Sequence, residues 1–149
     1  MTRFYTIDAA NQRLPDVRDQ LERLRDQRVE LIGLRDLAVE RLRAVRTAAG
    51  VDPGTLDEEA EAGLADGDAE LRAIRLRMQG VIDQMQAAVV RLDEWDVTLR
   101  DIETGLVDFP ALASGRQVWL CWRLGEGPVE WWHELATGVA GRRPLIELT

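Results

Sequence analysis

Residues 71–102 have the sequence LRAIRLRMQGVIDQMQAAVVRLDEWDVTLRDI. Apolar side chains recur along it in alternating steps of three and four, which is the spacing of one face of a long α-helix. The ten positions are Leu71, Ile74, Met78, Val81, Met85, Ala88, Leu92, Trp95, Leu99 and Ile102. We therefore expect a helix that begins near Asp68. Its last three positions also fit the alternation of a strand, so the helix either includes them or ends near Glu94 before a strand.

A similar pattern precedes it between Asp16 and Ala49. Apolar residues and two arginines share one seam there: Val17, Leu21, Leu24, Arg28, Leu31, Arg35, Ala38, Leu42 and Val45. Thr6 is a good N-cap for a short helix to about Leu14, and Pro15 either interrupts that helix or starts the next one. Two helices of about 30 residues, each about 45 Å long, should form an antiparallel hairpin.

The first long helix has a second apolar stripe outside this seam. Its members are Val29, Ile32, Leu34 and Leu37. Two helices alone cannot cover all of their apolar surface, so we expect this stripe to pack on the C-terminal part of the chain or on a second copy. Dimerisation into a four-helix arrangement is the interpretation that we favour.

The charge of the chain is concentrated between the two helices. The formal net charge is −8, and residues 51–70 contain eight acidic residues and no arginine. With its three glycines and Pro53, this segment is predicted to be a solvated connector with a short helix around Leu56–Leu64. The pI of about 4.7 disfavours nucleic acid as a partner, because phosphate binding needs a basic surface.

All 19 basic residues are arginine, and lysine is absent. Schiff-base chemistry, a P-loop lysine and a pyridoxal phosphate anchor are therefore excluded. The single cysteine, Cys121, cannot form an intrachain disulfide, which fits a reducing compartment. The chain has neither a signal-peptide-like start nor a run of about 20 apolar residues, so we expect a cytoplasmic protein without membrane contact.

The composition changes at Gly105, and four of the five tryptophans follow it. Residues 117–124 and 129–135 are aromatic-rich, β-prone segments on either side of a Gly-Pro turn, which predicts a hairpin. Residues 106–109 are a candidate third strand. We expect a small antiparallel sheet of three or four strands, stacked on one end of the helical hairpin.

The predicted fold class is therefore α+β: a long antiparallel helical hairpin, similar to a coiled coil, with a small C-terminal Trp-rich antiparallel β-sheet. Residues 1–149 are predicted to form a single domain. Its parts are an N-terminal cap and long helix (1–50), the acidic connector (51–70), the second long helix (71–104) and the sheet part (105–149).

The pairing of the predicted hairpin decides which side chains meet. One register pairs Leu124 with Val129. His133 then lies opposite Leu120 and on the other face from Cys121, because a step of one residue changes the face of a strand. With a loop one residue longer or shorter, Cys121 and His133 pair directly. The sequence is compatible with both arrangements.

Several strings near both ends of the chain resemble a known family. They are FYTIDAANQRLP (4–15), GLVDFP (105–110), LCWRLGE (120–126), WHEL (132–135) and GRRPL (141–145). They resemble an uncharacterised bacterial family catalogued as domain of unknown function 2203. The resemblance covers nearly the whole chain. It implies a small cytoplasmic bacterial protein, and it implies no particular activity.

One hypothesis for the C-terminal part is a divalent metal site, above all for zinc, because thiolate, imidazole and carboxylate are all zinc ligands. Its ligands would be Cys121, His133 and one or two of Asp108 and Glu134. His133 is the only histidine of the chain. Since the chain has no C-x-x-C or H-E-x-x-H motif, the competing interpretation is a buried cysteine and a histidine with one hydrogen bond among tryptophans.

A ligand pocket is a second hypothesis for this part. Tryptophan faces with Arg123, Arg142 and Arg143 nearby would bind an anionic or aromatic ligand. In the competing interpretation, the tryptophans are the core of the sheet. No residue set marks a catalytic site, because the chain has no glycine-rich phosphate loop and nothing indicates an oxyanion hole for a Cys121–His133 pair.

The sequence thus favours a non-enzymatic interaction or dimerisation module, either a homodimer or a protein that binds a partner through its helices. The alternative is a divalent-metal-binding protein or metal-dependent enzyme with its site in the C-terminal sheet.

Overall fold

The computed structural model describes residues 3–52 and 54–148. Three α-helices are followed by five strands: α1 (Ile7–Ala48), α2 (Glu58–Gly67), α3 (Ala69–Glu94), β1 (Thr98–Asp101), β2 (Leu106–Ala113), β3 (Arg116–Arg123), β4 (Trp131–His133) and β5 (Arg143–Pro144). Two short 3-10 turns, Val139–Gly141 and Leu145–Glu147, lie before and after β5. These elements confirm the α+β class.

The chain divides into two compact units. The sheet unit consists of residues 1–26 and 85–149, and the helical unit consists of residues 27–84. The sheet unit thus contains the start of α1, the end of α3 and all five strands. The helical unit contains the rest of α1, α2 and most of α3. None of the described helices has a stretch long and apolar enough to cross a membrane.

Helix α1 is continuous through Pro15, so the predicted break at this residue is wrong. A proline inside a helix removes one backbone hydrogen bond, in this case the bond to the carbonyl of Asn11. The helix is kept because Leu14 and Val17, on either side of the proline, are both buried in the core of the sheet unit. Packing of this face outweighs the loss of one hydrogen bond.

Helix α1 begins after the predicted N-cap Thr6 and joins the predicted short helix and the predicted long helix into one, and α3 begins next to Asp68 as predicted. The Oγ1 of Thr6 accepts a hydrogen bond from the N–H of Ala9 at 3.0 Å. The Oδ2 of Asp68 accepts one from the N–H of Leu71, also at 3.0 Å. Helix α3 ends at Glu94, which confirms the shorter of the two expected helices.

The end of α3 is set by a local change of backbone conformation. Asp96 follows the helix in the left-handed region, with a φ of 58°. The N–H of Val97 then bonds to the carbonyl of Leu92 at 3.0 Å. The last three positions of the apolar seam therefore lie outside the helix but still pack against the core: Trp95, Leu99 and Ile102.

Strands β1 to β5 form one antiparallel sheet in the order of the sequence. It has one strand more than expected, because β1 and the two-residue β5 form its edges. The inner face packs against α1 and α3, and its fully buried residues include Val107, Phe109, Leu120, Trp122 and Trp132. Burial of one such side chain, for example Phe109, contributes roughly 1.5–3 kcal/mol. Residues between these positions form the outer face of the sheet.

Helices α1 and α3 run antiparallel in the helical unit. As the residue number increases along α1, the residue number of the polar partner decreases. Gln27 contacts Gln84, Glu30 contacts Arg77, and Arg41 contacts Asp68, which directly precedes α3. The predicted helical hairpin is therefore confirmed. The acidic connector contains α2, close to the expected short helix, and Asp57 caps it through the N–H of Ala60 at 2.8 Å.

The helical unit buries few side chains. Among its described residues, those buried are Ala65, Leu71 and Val81. Val29 and Leu37, from the second apolar stripe of α1, are 64% and 52% exposed, whereas Ile32 and Leu34 are half-buried. No described part of the chain covers Val29 and Leu37, and their packing on a second copy stays a prediction.

Asp68 should stabilise the fold at neutral pH and lose this contribution in acid. Hydrogen bonds from Arg41 and then from the backbone N–H of Leu71 lower the pKa of Asp68 to about 2. A lowered carboxyl pKa stabilises the fold above the unfolded pKa of about 3.9, and the effect disappears as the pH falls towards 2. Asp68→Asn should therefore lower the Tm at pH 7 and change it little at pH 2.

Thermal melts followed by circular dichroism between pH 7 and pH 2 measure this effect. Asp83→Asn is the control, because Asp83 is an exposed residue of α3 that accepts a hydrogen bond from Gln79 of the same helix. A Tm difference between Asp68→Asn and the wild type that does not shrink below pH 4 would contradict the ion-pair explanation.

Candidate functional site

The outer face of the sheet brings three polar side chains together. Asp108 and Cys121 lie directly opposite each other in β2 and β3, and His133 in β4 pairs with Trp119. Trp119 and Cys121 are two residues apart, so His133 and Cys121 share a face as diagonal neighbours. The exposed fractions of Asp108, Cys121 and His133 are only 2%, 0% and 3%.

This register differs from both expected arrangements. His133 pairs with Trp119, whereas the sequence suggested Leu120 or Cys121 as its partner. A shift of one residue from the first arrangement moves His133 to the face of Cys121. Neither expected partner of His133 is observed, but the loop is one residue longer than in the first register, a length that the sequence allowed, and Cys121 and His133 come together.

Two hydrogen bonds donated by backbone N–H groups favour a loop between β3 and β4 that is longer than in the register with Leu124 opposite Val129. The N–H of Leu124 bonds to the carbonyl of Gly105 at 2.9 Å. The N–H of Val129 bonds to the Oδ1 of Asn11 in α1 at 2.7 Å. Since both N–H groups are engaged elsewhere, Leu124 and Val129 do not continue the hairpin ladder.

Asp108 lies at the centre of the cluster. Its Oδ2 accepts a hydrogen bond from the Nε of Arg100 at 2.9 Å and lies 3.0 Å from the Nε2 of His133. Its Oδ1 is buried and has no hydrogen-bond partner among the described residues. A buried carboxylate oxygen without a partner is costly, so this atom is a candidate ligand for a cation.

The imidazole of His133 is held with both nitrogens facing acceptors. Its Nδ1 lies 2.8 Å from the backbone carbonyl of Glu134, and its Nε2 faces Asp108. Because a carbonyl oxygen only accepts hydrogen bonds, Nδ1 carries the proton, and in the neutral ring Nε2 has a lone pair. This lone pair faces the carboxylate of Asp108, so a cation between the two atoms would turn the contact into an attractive one.

Cys121 is a protonated thiol at neutral pH in this environment. Burial and then the negative charge of Asp108 raise the pKa of the thiol to about 11. Arg142 acts in the opposite direction, since its NH1 lies 3.9 Å from the Sγ. A thiol with this pKa is a poor nucleophile, and it binds a metal ion only by giving up its proton.

Donor atoms of the three residues are close enough to share one ion. One atom each from Asp108, Cys121 and His133 lies within 4.8 Å of the other two. The described residues contain one such group of three side chains of types that can bind a metal ion. Three of the four predicted metal ligands are therefore brought together.

Glu134, the fourth predicted ligand, does not bring its carboxylate to the cluster. Its side chain pairs with Arg116 at 2.6 Å, and the hydrogen bond from this arginine lowers the pKa of Glu134. The contribution of Glu134 is instead its backbone carbonyl, which orients the ring of His133.

Of the three arginines predicted to contact an anion, Arg142 and Arg143 pair with the carboxylates of Glu126 and Glu147. Arg142 donates from both amino groups to the carboxylate of Glu126, at 3.1 and 2.6 Å, and stacks on Trp131 at 4.6 Å. The backbone N–H of Arg123 also donates to Glu126, at 2.7 Å. The Nε of Arg123 is buried without a hydrogen-bond partner in the described part of the chain. Arg142 therefore anchors the β3–β4 loop next to Cys121.

Arg100 belongs to the cluster although no sequence pattern indicated it. The β1–β2 register shifts between Leu99 and Asp101, which places Arg100 at a bulge. From there its guanidinium reaches Asp108 and stacks on Trp119 at 5.0 Å. A bulge depends on pairing with the neighbouring strand, so the local sequence does not mark it.

An open pocket of about 420 Å³ adjoins the cluster. Asp108, His133 and Arg100 line it together with Leu106 and residues 135–139. This mixture of apolar walls and a few polar groups is typical of small-molecule sites.

A family model described as an uncharacterized conserved protein, DUF2203, matches residues 3–145. The chain belongs to the DUF2203 family. The part that matches the DUF2203 model includes all three residues of the cluster and Arg100. No curated protein and no solved structure matches the chain. The description of the DUF2203 family names no activity.

The thiol of Cys121 should react slowly in the folded protein. The rise of its pKa from 9.0 to about 11 lowers the thiolate fraction at neutral pH by about 100-fold, and burial slows the reaction further. We expect labelling with iodoacetamide to be at least about 100-fold slower in the native chain than in guanidinium chloride. The chain has one cysteine, so mass spectrometry of the labelled protein reports on this residue alone. Equal rates in both states would contradict the buried, protonated thiol.

Proposed function

We propose that this protein binds one divalent metal ion, zinc, through Asp108, Cys121 and His133. The proposal rests on the meeting of three buried donor atoms within 4.8 Å, beside a carboxylate oxygen that lacks a partner among the described residues. Zinc bound to this oxygen would remove the cost of leaving a buried acceptor unsatisfied.

The donor set suits zinc better than magnesium or calcium. Zinc accepts thiolate, imidazole and carboxylate, whereas the two harder cations prefer oxygen ligands alone. A tetrahedral zinc ion with bonds of about 2.0–2.3 Å spaces its ligand atoms by roughly 3.3–3.6 Å. The donor atoms of the cluster lie within 4.8 Å of one another, and His133 Nε2 lies 3.0 Å from Oδ2 of Asp108, so zinc binding would require side-chain rotations that bring the three donors to this spacing.

The surroundings of the ligands also support a metal site. Metal-binding histidines commonly donate their second ring N–H to a carbonyl, which fixes the tautomer and directs the lone pair at the metal. The carbonyl of Glu134 has this role for His133. Similarly, the hydrogen bond from the Nε of Arg100 fixes the orientation of the Asp108 carboxylate.

A cysteine–histidine nucleophile pair has less support from the same residues. A general base must receive the proton of the thiol, but Nδ1 of His133 faces a carbonyl and Nε2 faces Asp108. Burial also raises the pKa of the Cys121 thiol, which is the opposite of what activates a nucleophile.

The purified protein should contain close to one zinc ion per chain, measured by inductively coupled plasma mass spectrometry. Cys121→Ala, His133→Ala and Asp108→Asn should each lose most of this zinc, because removal of one of three protein ligands greatly weakens binding. Added zinc should raise the Tm of the metal-free wild type and leave the Tm of these variants unchanged.

Glu134→Gln is the matched control for the zinc measurement. Glu134 follows His133 directly but pairs its carboxylate with Arg116, so this variant should keep a full equivalent of zinc. Far-ultraviolet circular dichroism shows whether each variant is folded. A metal-free wild type whose Tm does not respond to zinc would overturn the proposal, and so would folded ligand variants that retain zinc.

Self-association through the helical unit is a second candidate function. Val29 and Leu37 on α1 and Leu76 on α3 are all more than half exposed, and exposed aliphatic surface is often covered by a partner. We propose a second copy of the chain as this partner, because a two-fold arrangement would place the exposed aliphatic residues of one copy against the same residues of the other. The arginines Arg41 and Arg46 pair with Asp68 and Glu61 of the same chain, so the aliphatic residues and not these charges would form the contact.

Multi-angle light scattering should give the mass of a dimer for the wild type. Val29→Glu combined with Leu37→Glu should shift the protein to monomer with little change in Tm, because both side chains are exposed in the single chain. Ile146→Glu is the control, since Ile146 is 91% exposed but lies outside the helical unit. A wild type that stays monomeric at all concentrations would overturn this second proposal.

A further inference from the structure

The pocket beside the cluster has the size of a small-molecule site. Its volume of about 420 Å³ lies within the range of roughly 300–1,000 Å³ that is common for ligand pockets. It is open to solvent on one side, and both Asp108 and His133 contribute to its wall. A metal ion held by these two residues and Cys121 would have three protein ligands, which leaves at least one coordination position for a ligand from the pocket.

Arg100 is the arginine that lines this pocket. Its hydrogen bond to Asp108 uses Nε, so among the described residues the donors of its two terminal amino groups are left for another partner. Stacking on Trp119 at 5.0 Å limits the rotation of the guanidinium plane. Arg100 is therefore an oriented donor of the kind that recognises a carboxylate or another oxyanion.

The charge at the metal-loaded pocket favours an anion of one negative charge. A zinc ion of charge +2 is neutralised by the thiolate of Cys121 and the carboxylate of Asp108, and the neutral His133 adds nothing. The guanidinium of Arg100 then gives the metal-loaded pocket a net charge of +1. A monocarboxylate balances this excess, whereas a phosphate dianion would leave a negative charge in a partly apolar pocket.

We propose that this pocket binds a small organic monocarboxylate, whose carboxylate group lies between the metal ion and Arg100. The apolar part of the ligand contacts Leu135 and Val139, which line the pocket. Leu135 is 54% exposed, so an apolar ligand group removes aliphatic surface from water. This inference rests on the proposed metal site.

Cobalt(II) provides a spectroscopic test of both the metal site and the carboxylate pocket. Cobalt bound to Cys121 gives a thiolate-to-metal charge-transfer band, and its visible ligand-field bands change when an exchangeable ligand is replaced. We expect benzoate to change the visible bands of the cobalt protein in a saturable way. Acetate should bind more weakly than benzoate, because it lacks the apolar part, and inorganic phosphate should also bind more weakly.

Two variants assign the contacts. Arg100→Gln should weaken benzoate binding by about tenfold or more, because it removes a charge-assisted hydrogen bond. Leu135→Ser, at an exposed position, should weaken the binding of benzoate but not that of acetate. Arg13→Gln is the matched control, because Arg13 also stacks on a tryptophan, Trp95, at 4.8 Å, but does not line this pocket.

The outcomes separate the two proposals. Absence of a thiolate–cobalt band in the wild type would overturn the metal site itself. A normal cobalt spectrum that does not respond to benzoate would overturn the carboxylate pocket and leave the metal site standing. Equal benzoate affinity in folded, cobalt-loaded Arg100→Gln and wild type would also overturn the pocket proposal, as would tighter binding of phosphate than of benzoate.

Discussion

The buried carboxylate of Asp108 is the constraint around which the outer face of the sheet is organised. Asp108 and His133 are the buried polar residues of the described chain. A carboxylate at this depth needs compensating partners, since an isolated buried charge is strongly unfavourable. Arg100 reaches it from a bulge in β1, His133 from β4, and Cys121 from the opposite position in β3. Each partner depends on the register of a different strand.

The two faces of the sheet have different roles. The inner face has the large aromatic and aliphatic side chains, such as Phe109 and Trp122, that pack on the first part of α1 and the end of α3. This face accounts for the stability of the sheet unit. The outer face has Asp108, Cys121 and His133 at buried positions where apolar side chains would pack with less loss of free energy. Buried polar clusters that do not improve packing are typical of functional sites.

Much of the fold follows from local patterns in the sequence. The apolar seam from Leu71 to Leu92 marks α3 and its approximate start near Asp68, and Thr6 marks the start of the first helix, because caps and helical faces are properties of neighbouring residues. The continuity of α1 through Pro15 was not predictable in this way. It depends on the burial of Leu14 and Val17 by elements distant in the sequence.

The site could be predicted in its residue types but not in its geometry. The presence of one cysteine, one histidine and nearby acids suggested Cys121, His133 and Asp108, and the structure brings these three together. The pairing of His133 with Trp119 occurs together with a hydrogen bond from the N–H of Val129 to the side chain of Asn11, 118 positions away. The pattern of residues in one sequence does not show which distant residues contact each other. For the same reason it does not show the bulge at Arg100, which depends on pairing with the neighbouring strand.

The central claim is that one metal ion is bound by a sulfur, a nitrogen and an oxygen of this cluster. X-ray absorption at the zinc edge tests it most directly on the zinc-loaded protein. The account predicts one sulfur at about 2.3 Å and nitrogen or oxygen ligands at about 2.0–2.2 Å. A coordination shell without sulfur, or one with more than a single sulfur, would contradict it.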